Sequence, residues 1–259
     1  MDLGITGRCA LVAASSEGLG LATALALAQE GVAVTMVARR EQVLNQAAEM
    51  VRRSTGATVT AVVADISTPE GRKAALDATP VVEILVNNIG GAPTGDFRNY
   101  GLDDWRKVID SHLLAPVALI QATLDTMIER KFGRIINITT MGMRKPHRLH
   151  PMGNGARGGL TAFVAGIANE HVQHNVTINN ALPGPMNTGR MVETTEILAK
   201  QHGITYEEML DIRLQEYPAH RWGRPAEFGA VCAFLASEHA SYITGQNILV
   251  DGGAAPTTF

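Results

Sequence analysis

Short runs of mostly apolar, often β-branched residues alternate with longer helical patterns along the whole chain. The runs are nearly continuous in apolar character, which is typical of strands that are buried on both faces of a parallel sheet. Right-handed crossovers between such strands predict an α/β fold: a single Rossmann-type doubly wound parallel seven-stranded sheet with helices on both faces. The predicted strands are 9–14, 32–38, 58–64, 83–87, 134–138, 176–182 and 247–250.

The chain shows no internal repeat and no Pro/Ser-rich linker, so a single domain is predicted over residues 1–259. One stretch departs from the alternation of strands and helices. It follows a Pro-Gly-Pro turn and is interpreted as irregular from Pro185 to about Ile204. Its place after the sixth strand predicts a lid over the ligand crevice, formed by residues from 185 to about 215.

Composition narrows the possible partners. With 46% hydrophobic and 18% charged residues, the 259-residue chain can bury a large core, and its net charge of -3 provides no general attraction for nucleic acid or an anionic membrane. The N-terminus carries Asp2 rather than basic residues, and no apolar run reaches about 18 residues. We therefore expect a cytoplasmic protein that binds small molecules or other proteins.

Cys9 and Cys232 show no metal-ligand spacing, so buried free thiols and no metal site are predicted.

A glycine-containing turn follows the first predicted strand and opens an alanine-rich helix. Such a turn can present backbone N–H groups to a pyrophosphate, although it is also used simply for close packing. Its candidate ligand-binding residues are Ser15, Ser16, Gly18 and Leu19.

Four further motifs follow in order: Asp65-Ile66, Asn87-Asn88-Ile89-Gly90, Pro183-Gly184, and Gly223-Arg224-Pro225 with Asp251-Gly252-Gly253. Together with the turn, they make the chain resemble the short-chain dehydrogenase/reductase family over its whole length, in the style of β-ketoacyl carrier-protein reductases and hydroxyacyl-CoA dehydrogenases. The resemblance implies NAD or NADP as cofactor and a tetramer or dimer. It also implies cofactor contacts from Asp65, Ile66, Asn87, Gly90, Pro183, Gly184 and Thr188.

The residues after the second strand bear on the choice of cofactor. Ala38 is followed by Arg39 and Arg40, and basic residues here suit the 2′-phosphate of NADP. Glu17, in the glycine turn, would repel that phosphate. Ala14 in place of the family's first glycine and Ile89 in place of its alanine also weaken the cofactor site.

The family's four catalytic roles fall on altered residues. His112 stands where the resemblance implies an asparagine, and Thr140 stands at the serine position. Gly153 takes the place of the tyrosine and Arg157 that of the lysine. Glycine has no group to titrate, and arginine remains protonated near neutral pH, so neither is an ordinary acid or base. Asn154 could still orient a carbonyl.

Three functions remain open on this evidence. The first is a catalytically silent subunit of a hetero-oligomeric NAD(P)-dependent hydroxyacyl-CoA or ketoacyl dehydrogenase, paired with an active paralogue. The second is an active NADP-dependent reductase that uses Thr140 and His112. The third is a carboxylate- or acyl-CoA-binding protein, or a non-redox enzyme, that uses Arg157 and the basic loop 144–150. For that loop, a solvated segment or a subunit contact is the competing interpretation.

Overall fold

Seven parallel strands between Cys9 and Val250 form one sheet in the computed structural model, which describes residues 1–79 and 81–256. The strands are β1 Cys9–Ala13, β2 Ala33–Ala38, β3 Val59–Val63, β4 Ile84–Asn87, β5 Gly133–Ile138, β6 Val176–Pro183 and β7 Asn247–Val250. Their order in the sheet is β3-β2-β1-β4-β5-β6-β7. Each predicted strand is confirmed to within one residue at either end.

Helices cover both faces of the sheet. They are α1 Gly18–Gln29, α2 Glu41–Thr55, α3 Pro69–Asp77, α4 Leu102–Ile109, α5 Ala115–Glu129, α6 Pro151–His171, α7 Gly189–His202, α8 Tyr206–Gln215 and α9 Pro225–Ala236. On one face an apolar cluster joins the sheet to α1, α2 and α9, with Leu27, Leu44 and Phe228 fully buried. On the other face a second apolar cluster joins the sheet to α3, α5 and α6. This arrangement confirms the doubly wound fold.

The position of the ligand crevice follows from the strand order. Strands β1 and β4 are neighbours although two strands separate them in sequence, so the crossovers diverge to opposite faces at this point. In open parallel sheets, ligands bind outside the carboxyl ends of the strands at such a switch point. The glycine turn after β1 and the Asn-Asn-Ile-Gly motif after β4 both lie there.

The stretch from Pro185 to about Ile204 was expected to be irregular, and that expectation was wrong, because most of it is helical. The segment 185–215 folds into α7 and α8, which are separated by a short turn. Gly203 ends α7 in the left-handed conformation with φ 66°, and Thr205 starts α8 with a reciprocal capping box to Glu208. Local capping therefore produces two short helices where the apolar pattern is too weak to reveal them.

A side-chain ladder crosses half of the sheet. The Nδ2 atom of Asn87 donates to Oδ1 of Asn137 (2.9 Å), Asn137 to Asn180 (3.1 Å), and Asn180 to Asn247 (2.9 Å). These residues are direct neighbours in the registers of β4, β5, β6 and β7. The Oδ1 atom of Asn87, at the crevice end, is buried without a hydrogen-bond partner.

The stretch Leu102–Glu129 is helical throughout and passes a length-and-hydropathy test for membrane crossing. Core helices pass the same test, and here Leu119, Ile120 and Met127 are fully buried against the sheet. A π-helical turn interrupts the stretch at Asp110–Leu114, just before Pro116. Proline has no N–H to donate, so a regular α-helical bond is missing at this point.

Candidate functional site

The turn after β1 is held by its own backbone and by one hydroxyl group. Ala14 has φ 46°, in the left-handed region that favours glycine, which is the residue the family carries there. The buried Ser15 hydroxyl donates to the Val12 carbonyl (2.9 Å) and accepts from the Val37 N–H (3.0 Å). Ser15 was predicted to contact the cofactor, but its side chain is used to join the ends of β1 and β2.

The amino-terminal end of α1 offers free backbone donors. The first N–H of this region to bond back to the turn is that of Leu21, which donates to the Glu17 carbonyl at 3.3 Å. The N–H groups of Gly18, Leu19 and Gly20 donate to no carbonyl among the described residues. Such donors, together with the helix dipole, bind phosphate groups.

Glycine is required where this turn meets its neighbours. A Cβ atom on Gly20 would overlap the Ala14 carbonyl, and Gly18 has φ 58°. Thr188, the residue before α7, places its Cγ2 atom 3.7 Å from the position of a Cβ on Gly18. The residue before α7 therefore lies against the turn, close to the free N–H groups at the start of α1.

The residues predicted around the adenosine group lie at the ends of β2 and β3. Partial burial opposes ionisation of Asp65, but hydrogen bonds from the Ser67 hydroxyl and N–H hold the pKa of its carboxyl below the ordinary value. The nearest Arg39 nitrogen is 3.8 Å from that carboxylate, and Arg40 is paired with Glu17. Ile66 is buried. Both arginines are mostly exposed at the crevice, and Glu17 engages one of them.

The floor of the crevice leaves space where a nicotinamide would lie in this fold. A Cβ atom on Gly90 would meet nothing within 4 Å, whereas one on Gly184 would overlap Asp251. Pro183 ends β6, so Gly184 is the point at which the chain turns away from the sheet. The crevice is therefore open beside Gly90, whereas the backbone at Gly184 packs closely against Asp251.

His112 is buried in the π-helical turn and contacts the protein through both ring nitrogens. Its Nε2 atom is 3.0 Å from the Gly90 carbonyl oxygen, and Nδ1 is 2.7 Å from the Ser111 hydroxyl. Because a carbonyl only accepts, Nε2 carries the proton and Nδ1 accepts from Ser111. Burial and, after it, the Arg157 guanidinium lower the pKa of His112 to about 4. His112 is therefore neutral at pH 7 and ties the π-helical turn to the segment after β4.

Thr140 and Asn154 lie on either side of a short turn after β5. The Thr140 oxygen accepts from the Gly142 N–H (3.1 Å), and its hydroxyl proton has no acceptor among the described residues. Asn154 donates through Nδ2 to the His147 carbonyl (3.1 Å), while its Oδ1 packs against Gly142. Thr140 thus keeps a free donor, whereas Asn154 anchors the basic loop.

The first turns of α6 carry Gly153 and Arg157, which the resemblance aligned with the family's tyrosine and lysine. Arg157 Nη1 lies 3.3 Å from the position that a Cβ atom on Gly153 would occupy. With His112 and Asn87, Arg157 lines a small cavity between α6 and the sheet. The Arg157 guanidinium makes no hydrogen bond and no ion pair within residues 1–79 and 81–256. Burial and, after it, the charge of Arg190 lower the pKa of Arg157 to about 10, so it is protonated at pH 7.

Arg190 belongs to the same group of side chains, and sequence reasoning missed it. It is the second residue of α7, and its Nη2 donates to the Ala92 carbonyl at 3.1 Å. Its guanidinium occupies the space that any side chain at Gly91 would fill. No motif marks Arg190 in the sequence, because its position depends on how α7 folds back over the segment after β4.

The basic loop makes contacts on both sides of the crevice mouth. The Lys145 ammonium donates to the Ala254 carbonyl (3.1 Å), and the Gly95 N–H donates to the Leu149 carbonyl (2.9 Å). The rings of His147 and His150 lie next to each other in a tilted arrangement, with their centroids 5.4 Å apart. Partial burial, followed by His147, Arg190 and Arg157, lowers the pKa of His150. The loop is therefore held against the crevice rather than being wholly solvated.

Comparison with known proteins places this geometry in a family. Residues 13–255 match a family model described as enoyl-(acyl carrier protein) reductase. A 3-oxoacyl-[acyl-carrier-protein] reductase from Synechocystis is 32% identical over 254 residues, covering 96% of this chain and 97% of that protein. The NADPH-dependent reductase BacG from Bacillus subtilis is 28% identical and covers 95% of this chain and 97% of its own length.

A solved structure shows the same fold with ligands bound. The L-sorbose reductase of Gluconobacter frateurii, complexed with NADPH and L-sorbose, matches with a TM-score of 0.94 and 30% identity. The match covers 99% of this chain and 100% of that one.

Proposed function

Because the chain belongs to the short-chain dehydrogenase/reductase family, we propose that it is an NADP-dependent oxidoreductase in which Arg157 holds the carbonyl oxygen in place of the family's tyrosine. The observation that carries this proposal is the Arg157 guanidinium. It has no partner among the described residues and lies 3.3 Å from the vacant Cβ position of Gly153.

NADPH, when bound, supplies a hydride to the carbonyl carbon of a substrate. The carbonyl oxygen then gains negative charge, which must be stabilised within the crevice. The Arg157 guanidinium provides charge-assisted donors for it, and the Thr140 hydroxyl provides one further donor, because its oxygen already accepts from the Gly142 N–H. The proton that completes the alcohol comes from solvent water, since Arg157 keeps its own.

This arrangement predicts a slow enzyme. General acid catalysis contributes about 10²- to 10⁴-fold, and Gly153 cannot supply it. His112 does not replace it, since both of its ring nitrogens are occupied and its pKa of about 4 leaves it neutral at pH 7. Stabilisation of the oxyanion offsets part of the loss, because one well-placed donor is worth about 10²- to 10³-fold in kcat.

NADP is favoured over NAD by Arg39 and Arg40, which flank the end of β2. Guanidinium groups suit the additional phosphate of NADP, and Arg40 becomes available when it releases Glu17. The free N–H groups at the start of α1 support binding of the pyrophosphate.

The test follows oxidation of NADPH against a panel of ketones, oxo acids and β-ketoacyl thioesters. Arg157→Met keeps an unbranched side chain but removes the charge and the N–H donors, and we expect it to lower kcat at least about 100-fold without weakening NADPH binding. Arg53→Met, an exposed residue of α2, is the matched control and should leave turnover unchanged. Turnover that survives Arg157→Met would overturn the proposal.

A second candidate is a catalytically silent subunit that pairs with an active relative. It is supported by the absence of any side chain on Gly153, and by Leu102 and Leu114, which are 73% and 50% exposed and could contact another subunit. NADPH binding without turnover of any carbonyl compound, with an active dehydrogenase copurifying from the native source, would favour this second function.

A further inference from the structure

Two guanidinium groups approach the crevice from different helices, and both lie near Ala92. Arg190, from α7, donates from Nη2 to the Ala92 carbonyl at 3.1 Å. A Cβ atom on Gly153 would lie 3.2 Å from the Ala92 Cβ and 3.3 Å from Nη1 of Arg157, so Arg157 approaches the same residue from α6.

The positive charge of this pair is not balanced by the protein. Within the part of the chain that the structure describes, neither guanidinium forms an ion pair. The charges that shift the pKa of Arg157 and of His150 come from arginine and histidine side chains, and no carboxylate of the described residues is among them. Two like charges in a partly buried crevice repel each other and favour binding of an anion.

Arg190 is held in place but not saturated. Its single bond to the Ala92 carbonyl uses one of the five N–H donors of a guanidinium, and the others have no partner among the described residues. Gly91 leaves the space in which the group lies. The Arg190 guanidinium is planar, is fixed at one nitrogen and has free N–H donors, so it is suited to bidentate contact with a carboxylate.

We infer that the substrate carries a carboxylate close to its carbonyl group, with Arg190 binding the carboxylate while Arg157 faces the carbonyl oxygen. This inference rests on the proposed function and names the substrate class as short oxo acids. Arg190 belongs to α7, whose preceding residue Thr188 covers the glycine turn at Gly18. An anion bound to Arg190 therefore also holds the α7 segment over the crevice.

Binding is tested with oxamate, a carboxylate with an adjacent carbonyl that is not readily reduced. Calorimetric titration of the full chain, with and without saturating NADP, measures its affinity independently of turnover. We expect Arg190→Gln to weaken oxamate binding at least tenfold, with Arg190→Lys intermediate because it keeps the charge but loses the fork. Arg53→Gln, the exposed control, should bind oxamate like the wild type, and thermal melting checks that each variant is folded.

Turnover separates the two proposals. Pyruvate should be reduced at least tenfold more efficiently, in kcat/KM, than butane-2,3-dione, in which a neutral acetyl group replaces the carboxylate. If oxamate binding depends on Arg190 but no carbonyl compound is turned over, the carboxylate site stands and the proposed reductase function fails. Turnover with equal preference for the two compounds, or Arg190-dependent binding of inorganic phosphate or acetyl-CoA without oxamate, overturns the carboxylate site.

Discussion

The Nη1 atom of Arg157 lies 3.3 Å from the point where a Cβ atom on Gly153 would be, so the side chains at these two positions of α6 are structurally coupled. A tyrosine at position 153 would crowd the guanidinium, and the guanidinium has room because position 153 is glycine. The pair therefore changes the site as a unit.

This coupling predicts the result of restoring the family's residues. Gly153→Tyr alone should lower stability and turnover, because its Cβ would contact both Arg157 and Ala92. The double variant with Arg157→Lys removes the first contact and supplies a proton donor, and we expect it to raise kcat about 100-fold or more over either single variant. Stopped-flow measurement of NADPH oxidation provides the comparison. Additive effects of the two changes would show that they are not coupled.

His112 makes the stability of the protein depend on pH. The unfolded chain binds a proton at this residue near pH 6.5, whereas the folded protein does so only near pH 4. Between these values the unfolded state binds more protons, so the free energy of unfolding falls as the pH falls. From pH 7.5 to pH 5 we expect a loss of about 2 kcal/mol attributable to this group.

Urea denaturation at both pH values measures this loss in the wild type and in two variants. His112→Asn removes the titration and should reduce the loss by about that amount. Gln201→Asn, at an exposed residue of α7 that carries no titrating group, should not change it. If the free energy of unfolding of His112→Asn depends on pH in the same way as that of the wild type, His112 is not held neutral in the folded protein.

Ala14 carries backbone strain in the cofactor turn. Its φ of 46° places a Cβ atom in the left-handed region, which costs roughly 1–2 kcal/mol for a residue other than glycine. Ala14→Gly removes this strain but adds flexibility to the unfolded chain, so we expect a net gain of about 0.5–1 kcal/mol in the free energy of unfolding. Ala26→Gly, within α1, should have the opposite sign. Thermal and urea unfolding measure both changes, and a loss of stability in Ala14→Gly would show that Ala14 is not strained.

Arg39 should control the choice between the two nicotinamide cofactors. It lies 75% exposed after β2, and its nearest acidic group is Asp65 at 3.8 Å. Arg39→Ser should weaken NADPH binding about tenfold or more, since a hydrogen bond to a charged group contributes about 1.5–3 kcal/mol, and should leave NADH binding unchanged. Fluorescence titration with both cofactors measures the ratio, with Arg53→Ser as the control. An equal loss for NADH would assign Arg39 a structural role instead.

The sequence by itself determined the strands, the parallel sheet and the location of the cofactor turn. Apolar runs of β-branched residues specify buried strands locally, and Ala14 through Gly20 follows the first of them, so no knowledge of distant contacts was needed. The resemblance to the family singled out Gly153 and Arg157, because the family's tyrosine and lysine are four residues apart on one helix and these two residues occupy the matching positions. The segment after β6 was expected to be irregular because its caps at Gly203 and Thr205, rather than an apolar stripe, define its helices.

Only the tertiary structure decided which side chains meet in the crevice. The ladder from Asn87 to Asn247 requires the registers of four strands, and the neutral state of His112 requires its burial against Gly90. Arg190 reaches Ala92 across 98 positions of sequence because α7 folds back over the segment after β4. Such contacts depend on sheet register, side-chain direction and desolvation, and none of these is encoded in the spacing of residues along the chain.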